Sequence, residues 1–219
     1  MIKLPEAHMI IRKIGSTIKG HIIGNKILYI SLFLFYIIGI CLGAASVNDL
    51  DYQQKDEIVT FFNGFTKLLE NGDFSQFNLF KLSLIDNIKL IFLFWLLGFT
   101  IIGIPVYYVI IGMRGFSTGF SSGIIMGVLG TKGIYISAVC FVPKEAVLVP
   151  CLIALSINGI KLSGNILKSW LKKPEPKDSW VKQKLLPYSF VAAFFSFFIL
   201  LATLIEGFIS SGALKLIKI

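Results

Sequence analysis

With 55% of its 219 residues hydrophobic and only 15% charged, the chain has too few charges to coat a soluble globule, and a mean hydropathy of +0.80 places it in a membrane. A formal net charge of +9 would direct a soluble protein toward nucleic acid, but here the basic residues gather in particular loops, as orientation signals do, and no nucleic-acid partner is expected. Cys41, Cys140 and Cys151 fall in apolar runs with neither CxxC spacing nor a nearby His, so they are read as small buried residues and not as a metal site.

Residues 1–26 carry Lys3, Arg12, Lys13, Lys19 and Lys26 against one acid, Glu6, and precede an apolar run over 27–47. A positive flank of this kind marks a cytoplasmic N-terminus. Gly43-Ala44-Ala45-Ser46 offers the small residues of a signal-peptide cleavage site, but about 20 apolar residues exceed the ~7–15 of a signal core, so the run is an uncleaved first span. The segment 48–87 is acidic: Asp49, Asp51, Asp56, Glu57, Glu70, Asp73 and Asp86 stand against Lys55, Lys67 and Lys81, which fits the exterior side. Within it Ile58, Phe61, Phe62, Phe65, Leu68 and Leu69 follow helical spacing, and Asn71-Gly72 supplies a stop. The resulting amphipathic helix can lie in the headgroup layer, or its polar face, with Glu57, Asn63, Lys67 and Glu70, can dock another protein.

A second span is expected over 88–111, with a kink at Pro105, and Arg114 marks a turn on the inner side. Gly115, Gly119, Gly123 and Gly127 then recur every fourth residue along one helical face, a surface that can meet another helix at backbone distance. As a separate third span, the 16 residues 115–130 reach only about 24 Å, short of the ~30 Å hydrocarbon core, so they must be packed inside a bundle or sit in thinned bilayer. After a turn at Thr131-Lys132-Gly133, the run 134–160 would stretch about 40 Å and is interrupted by Pro143, Lys144 and Glu145 and again by Pro150. Either the chain breaks into two half-helices, with Glu145 in the first turn of the second, or one proline-kinked helix carries the charges. Intramembrane charges cost about 2.5–3.5 kcal/mol each even on gentle insertion scales, so this stretch is a candidate functional site. The loop 161–187 is strongly basic and therefore cytoplasmic, and 188–210 forms the last span. The fold expected is all-α: one transmembrane domain over 1–219, about five spans with one broken or kinked helix, and an exterior amphipathic helix.

Gly115-Phe116-Ser117-Thr118-Gly119 and Gly119-Phe120-Ser121-Ser122-Gly123 both match GxSxG, the pattern of a serine hydrolase. A serine nucleophile needs a base, and His8 and His21 both precede the first span; a Ser-Lys arrangement with Lys144 remains on paper, while the fourfold glycine period explains both matches as packing. Metal, ATP and dinucleotide motifs are absent, so no cofactor is expected and the chain is read as non-enzymatic.

The basic N-terminal segment and first span, the acidic exterior helix, Arg114-Gly115-Phe116-Ser117-Thr118-Gly119-Phe120 leading a glycine-rich span, Phe141-Val142-Pro143 and Ile157-Asn158-Gly159 together resemble the stage II sporulation protein M family over nearly the whole chain. Many relatives carry a His after the mid-membrane proline where this chain has Lys144, so no mechanism transfers to that position. The resemblance implies a multi-pass protein of the mother-cell membrane that recruits and anchors peptidoglycan hydrolases, the stage II sporulation proteins D and P, at the sporulation septum for wall remodelling and forespore engulfment. Its other expected partner is the lipid bilayer, and a homo-oligomer is left open. A small permease or a transporter's membrane subunit is the alternative.

Overall fold

The computed structural model describes residues 20, 23–70, 76–171 and 184–217, which form six helices and no strand. They are α1 (Lys26–Ser46), α2 (Tyr52–Glu70), α3 (Gln76–Leu97), α4 (Gly103–Leu129), α5 (Thr131–Leu171) and α6 (Leu186–Ile217). Most of the expected cytoplasmic N-terminal segment and the middle of the basic loop, 172–183, lie outside the described residues. Among the described residues α1, α4, α5 and α6 are long and apolar enough to cross a membrane, and the protein is a multi-pass helical membrane protein.

The second and third expected spans are divided differently from the reading above. Arg114 makes no turn; it sits in the middle of α4, a single helix of 27 residues or about 40 Å. The chain turns instead over 98–102, and Pro105 falls in the first turn of α4, where a missing N–H costs little. Hydropathy dips at 114–123 because the residues there are small, and small residues do not end a helix that packs on another backbone.

The earlier break is sustained by side chains from three other helices. The last carbonyls of α3 have no partner within the helix. The Tyr107 hydroxyl donates to the Phe94 carbonyl at 2.6 Å and the Tyr188 hydroxyl to that of Trp95 at 2.7 Å, while in the turn just beyond the helix Ser163 donates to the Gly98 carbonyl at 3.2 Å. These bonds let the helix stop beside apolar neighbours without buried unpaired oxygens.

The turn between α4 and α5 is shorter than expected. Gly130 alone makes it, at φ +58, and its N–H caps α4 by donating to the Met126 carbonyl at 2.9 Å. Thr131, Lys132 and Gly133 already belong to α5. That helix runs unbroken for 41 residues with Pro143 and Pro150 inside it, so the two half-helices do not form and Glu145 lies at no helix terminus. Every residue from 152 to 157 is buried, and Leu148, Leu152, Leu155 and Ile157 form the centre of the core with Leu32, Phe94, Tyr107, Ile111 and Ile199. Cys41, expected to be buried, is exposed on α1, and Cys140 and Cys151 are partly buried; all three are free.

Contacts fix the relative directions of the helices. Ser31 bonds Tyr108 at 2.8 Å, while Tyr36 faces Gly115 and Ile40 faces Gly119, so α1 and α4 run parallel. Against α4, α5 runs antiparallel, with Gly133 on Ile125, Glu145 on Thr118 and Gly159 on Tyr107. Opposite α6, α3 is antiparallel too: Trp95 meets Ser189, and Asn87 meets Thr203 at 2.8 Å. The pairings Phe94 with Tyr107 and Leu97 with Gly103 set α3 antiparallel to α4 as well. The directions of α1, α3, α4, α5 and α6 therefore alternate in chain order. Lys81, Asp86 and Lys89 make α3 more charged than the four spanning helices, yet it is packed alongside α4, α5 and α6.

Candidate functional site: a buried ion pair pinned by a glycine seam

The seam joining α1 to α4 is made of glycines from both. A Cβ added at Gly39 would fall on the Gly112 carbonyl, and one at Gly43 on that of Phe116; in return a Cβ at Gly115 would fall on the Tyr36 carbonyl and one at Gly119 on that of Ile40. Only Cα hydrogens fit such gaps, and the two backbones touch directly. Gly123 is looser, facing the Val47 side chain at 2.9 Å, and Gly127 has nothing within 4 Å of an added Cβ. Gly127 instead lines a groove of about 310 Å³ with Val47, Leu50, Ile58, Val59 and Ile124, between the ends of α1 and α4 and the inner side of α2.

Close approach of α1 and α4 brings Tyr36 and Arg114 to one level, and antiparallel α5 delivers Glu145 to the same place. The Arg114 guanidinium Nη2 lies 3.4 Å from Glu145 Oε1, with the two side chains only 25% and 11% exposed. Tyr36, itself buried, donates its hydroxyl to Glu145 Oε2 at 3.2 Å. The Thr118 hydroxyl is within reach of both Glu145 Oε1, at 3.3 Å, and the Arg114 carbonyl, at 3.0 Å, and its single proton serves one at a time. Arg114 Nε is buried without a hydrogen-bond partner. Lys144 is partly buried beside Glu145, Pro143 is partly buried, and Pro150 is exposed.

Each oxygen of Glu145 thus has a donor from a helix other than its own, and the carboxylate ties α1, α4 and α5 together. Removing one member of such a pair leaves a charge stranded in low dielectric, at about 3–5 kcal/mol. The geometry is that of a three-helix pin. Both GxSxG matches lie within regular α4, not on the strand-to-helix elbow that exposes a hydrolase serine. Ser117 is exposed and Ser121 partly buried.

Of the proposed docking residues, Glu57 is exposed on α2, whereas the side chains of Asn63, Lys67 and Glu70 lie outside the described residues. The sequence reading does not single out Tyr36 or Gly39, and it names Gly43 and Thr118 only within other motifs, a possible cleavage site and a GxSxG match. The Gly39-x-x-x-Gly43 spacing was a usable signal, since it repeats the period of the ladder it packs against.

Fold and site define a polytopic helical membrane protein whose bundle is locked by a glycine seam and an intramembrane ion pair. Residues 31–211 match the family described as stage II sporulation protein M, and the chain belongs to that family. No curated protein and no solved structure matches the chain.

Proposed function

We propose that the protein is a non-enzymatic membrane scaffold that recruits and anchors the peptidoglycan hydrolases known as stage II sporulation proteins D and P. It does so on the mother-cell side of the sporulation septum, for wall remodelling and engulfment. The observation that carries this reading is membership of the sporulation family across residues 31–211, from the first span to the last. The amphipathic α2 supports it, because Ile58 and Val59 turn toward the bundle while Glu57 is left exposed. In this reading the N-terminus and the basic loop are cytoplasmic, and α2 lies on the side of the wall.

Affinity capture of the tagged protein from sporulating cells tests the proposal: the two hydrolases should co-purify. Recovery of a transporter ATPase in their place would favour a permease subunit, a reading that draws on the intramembrane Arg114 and Glu145, since such charges also mark transport pathways.

A further inference from the structure

The outward face of α3 carries two exposed charges about halfway along the helix bundle. Phe94 of α3 and Tyr107 of α4 pack edge to face with ring centroids 5.4 Å apart. Seven residues on from that contact in each antiparallel helix, about 10 Å along, stand Asn87 and Arg114, so this part of α3 is level with the buried ion pair. Asn87 points inward and donates to Thr203 at 2.8 Å. Its neighbours point outward: Asp86 and Lys89, 3.8 Å apart, are 66% and 73% exposed. A lysine stem can carry its charge some way toward the headgroups, but the short Asp86 side chain cannot.

The apolar residues around this pair have a definite spacing. Leu82, Ile85, Phe92 and Leu96 are all exposed on the same face, and with Lys89 they follow steps of three, four, three and four along the helix. This is the a/d seam of a two-stranded coiled coil, with Lys89 at one central a position and Asp86 at the adjoining e position. A single polar residue at an a position sets register and partner number in such pairs.

We propose that this face of α3 is the dimerisation surface of the protein and that it is covered by α3 of a second copy. A two-fold axis along the membrane normal brings each layer of the seam to its own counterpart at the same depth. One acid and one base a turn apart make the patch self-complementary: Asp86 of each chain meets Lys89 of the other, giving two reciprocal pairs with no net charge. Acyl chains would leave both groups unsolvated, and an unrelated helix would need a matching acid and base of its own. The pairing is independent of which proteins the scaffold holds.

Single cysteines introduced into the full-length protein, after replacement of Cys41, Cys140 and Cys151 by alanine, test this in native membranes with an oxidant or a short bis-thiol cross-linker. Ile85→Cys, Phe92→Cys and Leu96→Cys should each give a band at twice the 24.3 kDa monomer mass. Val109→Cys and Phe197→Cys, exposed on α4 and α6, should give none. In the Phe92→Cys background, Lys89→Asp should lower the dimer yield at least tenfold by setting four acids together, and adding Asp86→Lys should restore it to within twofold. Should Lys89→Asp fail to accumulate, the cysteine scan with native charges decides alone. A cross-linked product of another mass, equal yields at 109 and 197, or no dimer at the α3 positions would overturn the proposal.

Discussion

At the scale of single residues, Glu145 is the group on which polar contacts from two other helices converge, through Tyr36 of α1 and Arg114 and Thr118 of α4. Because Tyr36 and Thr118 can bond a neutral amide but Arg114 needs a counter-charge, Glu145→Gln should be nearly as damaging as Arg114→Ala. Each should lose about 3–5 kcal/mol through the stranded partner. Replacing both, as Arg114→Met with Glu145→Leu, removes the uncompensated charge together with its desolvation cost. The double variant should therefore accumulate better than either single one and melt at a higher temperature in detergent. Thermal unfolding of the purified variants checks the order; a double variant less stable than both singles would mean that the pair stabilises the bundle beyond what apolar packing can replace.

Between elements, the seam of α1 and α4 has no slack where backbone meets backbone and ample room where it opens. Gly119→Leu and Gly39→Leu should exceed the ~1–3 kcal/mol usual for an overpacked core, since the atoms in the way are carbonyls that cannot change rotamer. Gly127→Leu should accumulate like the native protein, because its side chain enters the groove beside α2. Immunoblots of membrane fractions separate these outcomes. Ser117→Ala, on the exposed side of α4, should leave both protein level and engulfment unchanged; loss of engulfment at normal level would point to chemistry at that hydroxyl.

Much of this element map could be read from the sequence, and its errors have physical causes. Long apolar runs reveal spans wherever their edges are polar, and α1, α5 and α6 were legible for that reason. Arg114 was misread as an edge because a charge in an apolar run is tolerable only with a counter-charge. That counter-charge, Glu145, is 31 residues away and meets it only after α4 and α5 fold back on each other. The start of α3 was hidden by Lys81, Asp86 and Lys89, and its end by an apolar turn that three side chains from other helices satisfy. The glycine period on α4 is visible, but its counterpart on α1 is not: Gly39 sits unmarked inside an apolar run, and Gly43 reads only as part of a small-residue stretch suited to cleavage. No local pattern distinguishes Gly119, pressed on a backbone, from Gly127, facing a groove.

Over the whole molecule, the alternating directions of α1, α3, α4, α5 and α6 put α2 and the Gly130 turn on one side, and the 98–102 turn and the basic loop on the other. The positive-inside argument predicts that α2 lies outside, so a cysteine at position 63 in a Cys-free background should be labelled by an impermeant maleimide in intact cells. Labelling only after lysis would reverse the orientation. If α2 also docks the hydrolases, reversing charge at Glu57 and Glu70 should weaken their recruitment without lowering the protein level, whereas Phe62→Asp or Phe65→Asp should impair insertion or folding. The scaffold reading itself is tested most directly by imaging fluorescent fusions of the two hydrolases in sporulating cells that lack this protein and in the same cells carrying it again. The account predicts that septal enrichment of both is lost in the first and restored in the second, with engulfment following the same course; hydrolases that remain at the septum in its absence would contradict it.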